Sequence, residues 1–167
     1  MRFNTGLLRM KTFAQLAAEI APLITEMMPW DVEEYLKSHP DTLIVDIREN
    51  HEYDTMHIPD SLNVPRGILE NACEWDFEET EPELVEARNR PVLLACRSGN
   101  RTTLAAYTLQ QMGYDNVISL QTGLRGWSDY ELPLVDIEEK PVDAEDADRY
   151  FANKILPEQR KPEPKSR

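Results

Sequence analysis

Three short runs of β-branched and apolar residues in the middle of the chain set its fold class. They span Thr42–Ile47, Pro91–Cys96 and Asn116–Leu120, and each run is apolar on both faces. Strands of a parallel sheet have this pattern, because helices cover both faces of such a sheet. A helical pattern from Arg101 to Met112 separates the last two runs, and Gly113 follows it as a stop signal. The order predicts an α/β domain with a mainly parallel sheet and right-handed crossovers.

The segments on either side of this core add helices. Apolar residues recur at helical spacings from about Leu7 to Ile20, which predicts an N-terminal helical extension over residues 1–21. A second helix is predicted from Asp31 to Lys37, with Asp31 as its N-cap. A short extended piece spans Ser61 to Val64, and the core domain is expected over residues 22–134.

The last part of the chain, residues 135–167, is acidic at first and then basic. It offers little apolar area to bury, so we expect it to be mobile. Four of its residues are nevertheless able to dock back onto the domain, and they are Tyr150, Phe151, Ile155 and Leu156.

The charge of the chain limits its partners. It has 31 Asp and Glu residues against 18 Lys and Arg residues, for a net charge of -13. A phosphate backbone would be repelled, so nucleic acid is not an expected partner. Eight acidic residues and no basic one lie between Glu70 and Glu86. Such a run is usually a solvated face, although it also suits the docking of a basic partner.

The cysteines and the apolar stretches indicate the cellular setting. Two cysteines, Cys73 and Cys96, do not make a disulfide framework, although a single bridge stays open. No stretch reaches the length of a membrane span, so no membrane partner is expected. Glu19 and Glu26 interrupt the N-terminal apolar stretch, which argues against a secretory leader. We therefore predict a cytoplasmic protein.

A six-residue loop, CRSGNR, joins the second apolar run to the helix that follows. Ligands of open α/β sheets bind beyond the carboxyl ends of the strands, which is where Cys96 lies. Gly99 allows the tight turn that points backbone N–H groups inward, and the helix N-terminus adds partial positive charge. Arg97 and Arg101 add two formal charges. These surroundings favour a thiolate, whereas a merely buried cysteine would not explain the glycine and the arginines.

The loop and its flanks resemble the rhodanese-like sulfurtransferases, whose active-site loop has the form C-x-x-G-x-R. Upstream, VDIRENHEYDTMHIPDSLNVP is similar to the family's D-x-R-[ED]-x-x-E-[FY]-x-x-G-H-I-P-G-A-x-N-[IV]-P segment. Downstream, GYDNVISLQTGLRGW is similar to its G-Y-x-x-V-x-x-L-x-G-G-x-x-x-W ending. The resemblance implies a single-domain rhodanese-like α/β fold. Its central, mainly parallel sheet would have about five strands, with helices on both faces.

Three departures from the family pattern lie in turns. Met56 stands where a glycine is usual, Asp60 and Ser61 replace Gly-Ala, and Thr122 replaces the first glycine of a pair. We expect them to change loop details and to leave the chemistry of the cysteine loop unchanged.

The resemblance implies a two-step transfer through a persulfide on Cys96, the catalytic residue, with no cofactor or metal. The substrate-binding residues would be Arg97, Ser98, Gly99, Asn100 and Arg101. The expected partners are an anionic sulfur donor (thiosulfate or a persulfide) and a thiol or cyanide acceptor, with a sulfur-carrier protein as a candidate acceptor. The fold also hosts phosphatases and arsenate reductases with a wider C-x5-R loop. Here Arg101 is five positions after Cys96, which gives the smaller C-x4-R loop.

Residues outside the loop have supporting or structural parts in this scheme. Asp46 and Arg48 are expected either to support the loop and its neighbouring turns or to form an ordinary surface ion pair. His57 is interpreted as structural, and Cys73 as incidental rather than as a second sulfur acceptor. A second hypothesis for the whole chain is a sulfur carrier or regulatory module that docks a partner and turns over weakly. A phosphatase is the third.

Overall fold

The computed structural model describes residues 10–163. These residues contain five strands and eight α-helices. The strands are β1 (Thr25–Met27), β2 (Leu43–Asp46), β3 (Leu62–Asn63), β4 (Val92–Ala95) and β5 (Val117–Leu120). The helices are α1 (Phe13–Ile20), α2 (Pro29–Ser38), α3 (Asn50–Thr55), α4 (Leu69–Ala72), α5 (Pro82–Val85), α6 (Asn100–Gln111), α7 (Gly123–Asp129) and α8 (Ala144–Phe151). All strand pairings are parallel in the order β1-β5-β4-β2-β3, which confirms the predicted sheet.

The central strand β4 shows why its sequence is apolar without interruption. Val92 and Leu94 face the core layer that contains α6, whereas Leu93 and Ala95 face the layer that contains α2, α7 and α8. Successive side chains of a strand point to opposite faces, and here both faces are covered. All four residues are buried, and the expected arrangement of helices on both faces of the sheet is confirmed.

Two features at the N-terminal side differ from the sequence prediction. Strand β1 was not indicated by the sequence, because it has only three residues and pairs with β5 alone at the sheet edge. Helix α2 begins at Pro29, so the prediction of Asp31 as its N-cap is wrong. Proline suits the first helical position because it lacks an N–H group. Asp31 lies in the first turn, where a carboxylate stabilises the helix dipole.

The predicted N-terminal helix is present in part. Helix α1 begins at Phe13, after Thr12 as its N-cap, and ends at Ile20. Leu7 and Leu8, which belonged to the predicted helix, lie outside the described residues.

The acidic segment between β3 and β4 has a buried apolar side as well as an exposed charged side. The short helices α4 and α5 bury Leu69, Ala72 and Leu84 against the α6 layer. Six of the eight acidic side chains between Glu70 and Glu86 are exposed, and the other two are partly exposed. The interpretation of this run as a solvated face is therefore confirmed.

Part of the C-terminal segment packs against the domain. Val135 pairs with His57 through two backbone hydrogen bonds of 2.9 Å, and α8 then covers the layer formed by α2 and α7. Phe151 is 3% exposed, whereas Ile155 and Leu156 are about half exposed. Of the four residues proposed to dock this segment, Phe151 is therefore the main contact. The division of the chain at residue 134 stays a prediction.

Replacing the buried aromatic ring of α8 tests this packing. We expect Phe151→Ala to lower the free energy of unfolding by about 3 kcal/mol, because a buried ring leaves a cavity. Ile155→Ala, four residues further on and exposed, should change it by less than about 0.5 kcal/mol. Urea denaturation followed by circular dichroism measures both. Equal effects of the two variants would contradict the packing described.

Candidate active site

Cys96 directly follows β4, and α6 begins four residues later at Asn100. Between them Gly99 takes a φ of 93°, a left-handed conformation that glycine adopts without strain. Its N–H group lies 3.2 Å from Cys96 Sγ and donates to the sulfur. The sulfur atom therefore sits at the N-terminus of a twelve-residue helix, where the helix dipole favours negative charge.

The sulfur is enclosed by polar groups that the sequence pattern does not point to. Cys96 has no solvent-exposed surface. Its Sγ lies 3.6 Å from the Thr102 hydroxyl, which accepts a 2.7 Å hydrogen bond from Ser119 and donates to the Gly99 carbonyl. Thr102 and Ser119 are also fully buried. A donor reaches the sulfur only when surrounding groups move.

The turn between β5 and α7 holds the cysteine loop in place. The N–H groups of Leu124 and Arg125 donate to the carbonyls of Cys96 and Arg97 at 2.8 and 3.1 Å. Gly123, with a φ of 62°, lies so close that a Cβ atom there would come within 2.5 Å of those carbonyl oxygens. Sequence patterns identify Gly123 as a turn residue but do not indicate this contact.

The departure at Thr122 has a local compensation. Thr122 takes a φ of 68°, a conformation that costs a non-glycine residue about 1 kcal/mol. Its side chain lies over Gly126, where a Cβ atom would come within 1.8 Å of the Thr122 hydroxyl. The threonine is tolerated in this turn because Gly126 leaves the space for it.

Arg101, the last residue of the loop motif, is held by a carboxylate. Its guanidinium donates to both oxygens of Glu52 at 2.9 and 3.0 Å. The hydrogen bonds that Arg101 donates to Glu52 raise the pKa of Arg101, and the charges of Glu52, Cys96 and Asp46 add to the rise. Burial opposes ionisation of Glu52, but the hydrogen bonds and charge of Arg101 outweigh it and hold the pKa of that carboxyl below its usual value.

Glu52 has a place in the motif but was given no role by the sequence. It is the glutamate of the D-x-R-[ED]-x-x-E-[FY] pattern and lies on α3. That pattern was the signal that could have identified it. What the pattern does not show is which of the loop arginines the carboxylate binds.

Arg97, the other loop arginine, contacts the C-terminal segment. Its guanidinium donates to the carbonyls of Phe151 and Ala152 at 3.1 and 3.4 Å. It also lies over the rings of Phe151 and Tyr150, 5.6 and 5.9 Å from their centroids. Such contacts between a cation and an aromatic face are attractive. The structure thus links the cysteine loop to the end of α8, and a role of Arg97 in binding a donor stays a prediction.

The two remaining polar residues of the loop differ in exposure. Ser98 is exposed and faces a groove between α2 and α7. Asn100 is half-buried and forms the first turn of α6. Within the described residues, Gly99 supplies the one backbone N–H in hydrogen-bond contact with Cys96 Sγ.

Asp46 and Arg48 form a buried ion pair, so the surface interpretation of this pair is wrong. Both side chains are at most 1% exposed, and Arg48 donates to both carboxylate oxygens of Asp46. Arg48 also donates to the Met56 carbonyl at 2.7 Å, and Asn63 donates to the carbonyls of Asp46 and Arg48. Asp46 is paired across the sheet with Ala95, the residue before Cys96. The pair thus lies beside the start of the loop.

His57 and Cys73 have the contacts of structural residues. His57 is buried, stacks on Tyr53 with a centroid distance of 3.8 Å, and has its Nδ1 atom 2.9 Å from the Tyr53 carbonyl. Cys73 is fully buried in the α6 layer, and burial raises the pKa of its thiol. A thiol in these surroundings is a poor nucleophile. Both cysteines are free thiols.

Within residues 10–163, no group of three or more His, Cys, Asp and Glu side chains is placed to hold a metal ion. None of the described helices is long and apolar enough to cross a membrane.

Comparison with known proteins identifies the family. Residues 31–130 match the rhodanese-like domain family, and the chain belongs to it. It is 30% identical over 113 residues to a sulfurtransferase of Allochromatium vinosum. The match covers 68% of this chain and 96% of that protein. It is also 30% identical to YrkF of Bacillus subtilis, named as a candidate sulfur carrier protein. That match covers 67% of this chain and 55% of YrkF, so the chain spans about half the length of that relative.

A solved structure shows the same fold. A Rhodopseudomonas palustris protein of unknown function, described as a possible tyrosine phosphatase, superposes with a TM-score of 0.65 and 28% identity. The match covers 80% of this chain and 98% of that one. Together with the family match over residues 31–130 and the five-stranded parallel sheet, this similarity confirms the predicted rhodanese-like fold.

The contact of Gly123 with the loop can be tested by adding one methyl group. Gly123→Ala should displace the carbonyls of Cys96 and Arg97, because the new Cβ has no space there. We expect lower thermal stability and slower reaction of Cys96 with a thiol reagent or sulfur donor than in Gly67→Ala, where a Cβ meets nothing within 4 Å. Thermal unfolding and intact-mass kinetics measure these effects. Identical behaviour of the two variants would contradict the contact.

The ion pair of Glu52 and Arg101 predicts a pH-dependent stability. A carboxyl whose pKa is lowered on folding stabilises the protein above its ordinary pKa of about 4.3, and this contribution is lost as the pH falls through the lowered value. Glu52→Gln lacks this contribution. The difference in free energy of unfolding between wild type and variant should be constant near neutral pH and shrink below about pH 4.

Urea denaturation at a series of pH values measures that difference. Glu34→Gln, which removes an exposed ion pair with Lys37, is the control and should have little effect at any pH. A difference between wild type and Glu52→Gln that stays the same down to the acid transition would contradict the assignment.

Proposed function

We propose that the chain is a sulfurtransferase that moves a sulfane sulfur through a persulfide on Cys96. The donor would be thiosulfate or a persulfide, and the acceptor a thiol, with cyanide as the acceptor in an assay. The observation that carries the proposal is the Gly99 N–H donated to Cys96 Sγ at the N-terminus of α6. Membership in the rhodanese-like family and the similarity to a sulfurtransferase support it.

The proposed reaction has two steps, and each exchanges one bond between sulfur atoms. With thiosulfate, the Cys96 thiolate attacks the outer sulfur, the bond between the two sulfur atoms of the donor breaks, and sulfite leaves with the electron pair. The outer sulfur stays on Cys96 as a persulfide anion. An acceptor thiolate then attacks that sulfur and releases the Cys96 thiolate. No external oxidant or reductant is consumed.

The neighbouring residues have distinct parts in this proposal. The Gly99 N–H and the helix terminus would stabilise the negative charge of the sulfur. Arg101, fixed by Glu52, would act as a positioned charge rather than as a mobile anion receptor. Asp46 and Arg48 would keep the start of the loop rigid. Ser98, Asn100 and Arg97 complete the loop. A reduced, cytoplasmic setting belongs to the same proposal, because the reaction needs Cys96 as a free thiol.

The burial of Cys96 favours a second candidate function. A module that carries sulfur and turns over weakly would benefit from a cysteine without access to solvent. A sulfur-carrier protein or another partner would then open the site on docking. Similarity to YrkF supports this alternative. The two candidates differ in the rate of sulfur release. In the carrier, the Cys96 persulfide would form but would pass its outer sulfur only slowly to small acceptors.

The loop length argues against a phosphatase. A tetrahedral phosphate needs a wider cradle than C-x4-R provides, and the loop arginines are held by Glu52 and by carbonyls of the C-terminal segment. Inactivity toward an aryl phosphate is the expected result.

Intact mass after exposure to sulfur donors tests the proposal. Thiosulfate or glutathione persulfide should add one sulfur atom to the wild-type chain, and Cys96→Ser should abolish both this adduct and thiocyanate formation from cyanide. Cys73→Ala keeps Cys96 and should retain the adduct. Multiple turnover with cyanide supports the enzyme, and one rapid loading followed by slow release supports the carrier. An unmodified Cys96 with every donor would overturn both.

A further inference from the structure

A groove of about 540 Å³ lies beside the cysteine loop, between α2 and α7. Ser98 of the loop forms part of its wall, together with Trp30 of α2 and Arg125 and Asp129 of α7. The volume lies in the range of about 300 to 1,000 Å³ that small organic ligands occupy. A small inorganic anion such as thiosulfate would fill only part of it. The groove therefore fits a donor or acceptor with an organic body.

The apolar part of the groove comes from two aromatic rings. Trp30 and Tyr130 meet edge to face, with centroids 5.6 Å apart and planes at 61°. They are 45% and 46% exposed, so about half of each ring is open to a ligand. Fixed, half-exposed rings at a cavity wall provide apolar contact area for the carbon skeleton of a ligand.

The polar part of the groove carries one positive and one negative charge. Arg125 and Asp129 lie one helical turn apart on α7 and are both exposed. Among the described residues, neither side chain forms an ion pair. Arg97 and Arg101 are both occupied by other partners. Arg125 is thus the arginine beside the loop that is open to a ligand.

We propose that this groove binds an amino-acid or peptide persulfide, a zwitterion of low molecular mass. Its carboxylate would pair with Arg125, its ammonium group with Asp129, and its carbon skeleton would lie against Trp30 and Tyr130. Its sulfur would then point toward the loop at Ser98. The inference rests on the proposed function and names the substrate class of that site.

The transfer from such a donor is balanced without a further reactant. The Cys96 thiolate attacks the terminal sulfur of R–S–SH, the bond between the two sulfur atoms of the donor breaks, and R–S⁻ leaves with the electron pair. The proton stays on the terminal sulfur, which is now bound to Cys96. Because Cys96 is buried, binding in the groove and transfer to the sulfur are separate steps and are measured separately.

Binding is tested with S-methylglutathione, a zwitterionic peptide thioether that cannot transfer sulfur. Titration of the full chain, followed by the NMR signal of the Trp30 indole N–H, should show saturable binding. Arg125→Ala and Asp129→Asn should weaken it by about 10- to 100-fold, the scale of a hydrogen bond to a charged group. Arg160→Ala, an exposed arginine that does not line the groove, is the control. Equal binding by wild type and both groove variants would overturn the proposal.

Donor selectivity supplies the second test. Arg125→Ala should lower kcat/KM for glutathione persulfide by a similar factor and change that for thiosulfate by less than about two-fold. Equal losses with both donors would overturn the assignment of the substrate class, because Arg125 would then attract any anion. If the wild type accepts sulfur from no donor, the proposed function fails, and the titration still decides whether the groove binds the zwitterion.

Discussion

The contact between the β5–α7 turn and the cysteine loop is the constraint on which the site depends. Two N–H groups at the start of α7 hold the carbonyls of Cys96 and Arg97, and Gly123 has no room for a side chain. With these carbonyls fixed, the Gly99 N–H is directed at the sulfur. Strands β4 and β5 are parallel neighbours in the sheet, so the cysteine loop after β4 lies next to the turn after β5.

Charge is arranged around the sulfur in alternating order. The Glu52 carboxylate is bound by Arg101 of the loop and is also stabilised by the charge of Arg48, which forms the buried pair with Asp46. Each charge has an opposite neighbour, which limits the cost of burying them. A further negative charge on Cys96 would be balanced by Arg101 without freeing that arginine from Glu52. The loop is thus suited to holding a charged sulfur, and under the proposed function the substrate body would be recognised by side chains outside it.

Much of the fold followed from the sequence, because the buried strands and the helix α6 have strong periodic patterns. The apolar runs predicted β2, β4 and β5 to within two residues at each end. Strand β1 escaped notice because three residues at a sheet edge carry no periodic signal. The six-residue loop and its cysteine were located from the end of an apolar run, from the glycine and arginines that follow, and from the resemblance to the family motif. The partners of Arg97 and Arg101 were not, because they come from segments far along the chain, and side-chain pairing across such distances leaves no local pattern.

The sequence indicated that Phe151 and three other residues could dock onto the domain, but it did not predict helix α8 or where that helix packs. Its residues are mostly polar or charged, and one ring, Phe151, carries most of its buried contact. A few apolar residues in an acidic segment do not fix where that segment docks. The hydrogen bond from Arg97 to the Phe151 carbonyl, at the end of α8, is part of what holds this helix against the domain.

The enclosure of Cys96 has a consequence for timing. A sulfur atom without exposed surface reacts only during transient openings, so its observed rate is the intrinsic rate multiplied by the fraction of time the site is open. When opening is fast, ambient thiols would remove a bound sulfane sulfur more slowly than they would from an exposed cysteine, in proportion to that fraction. The protein would then store sulfur for a period set by its own fluctuations.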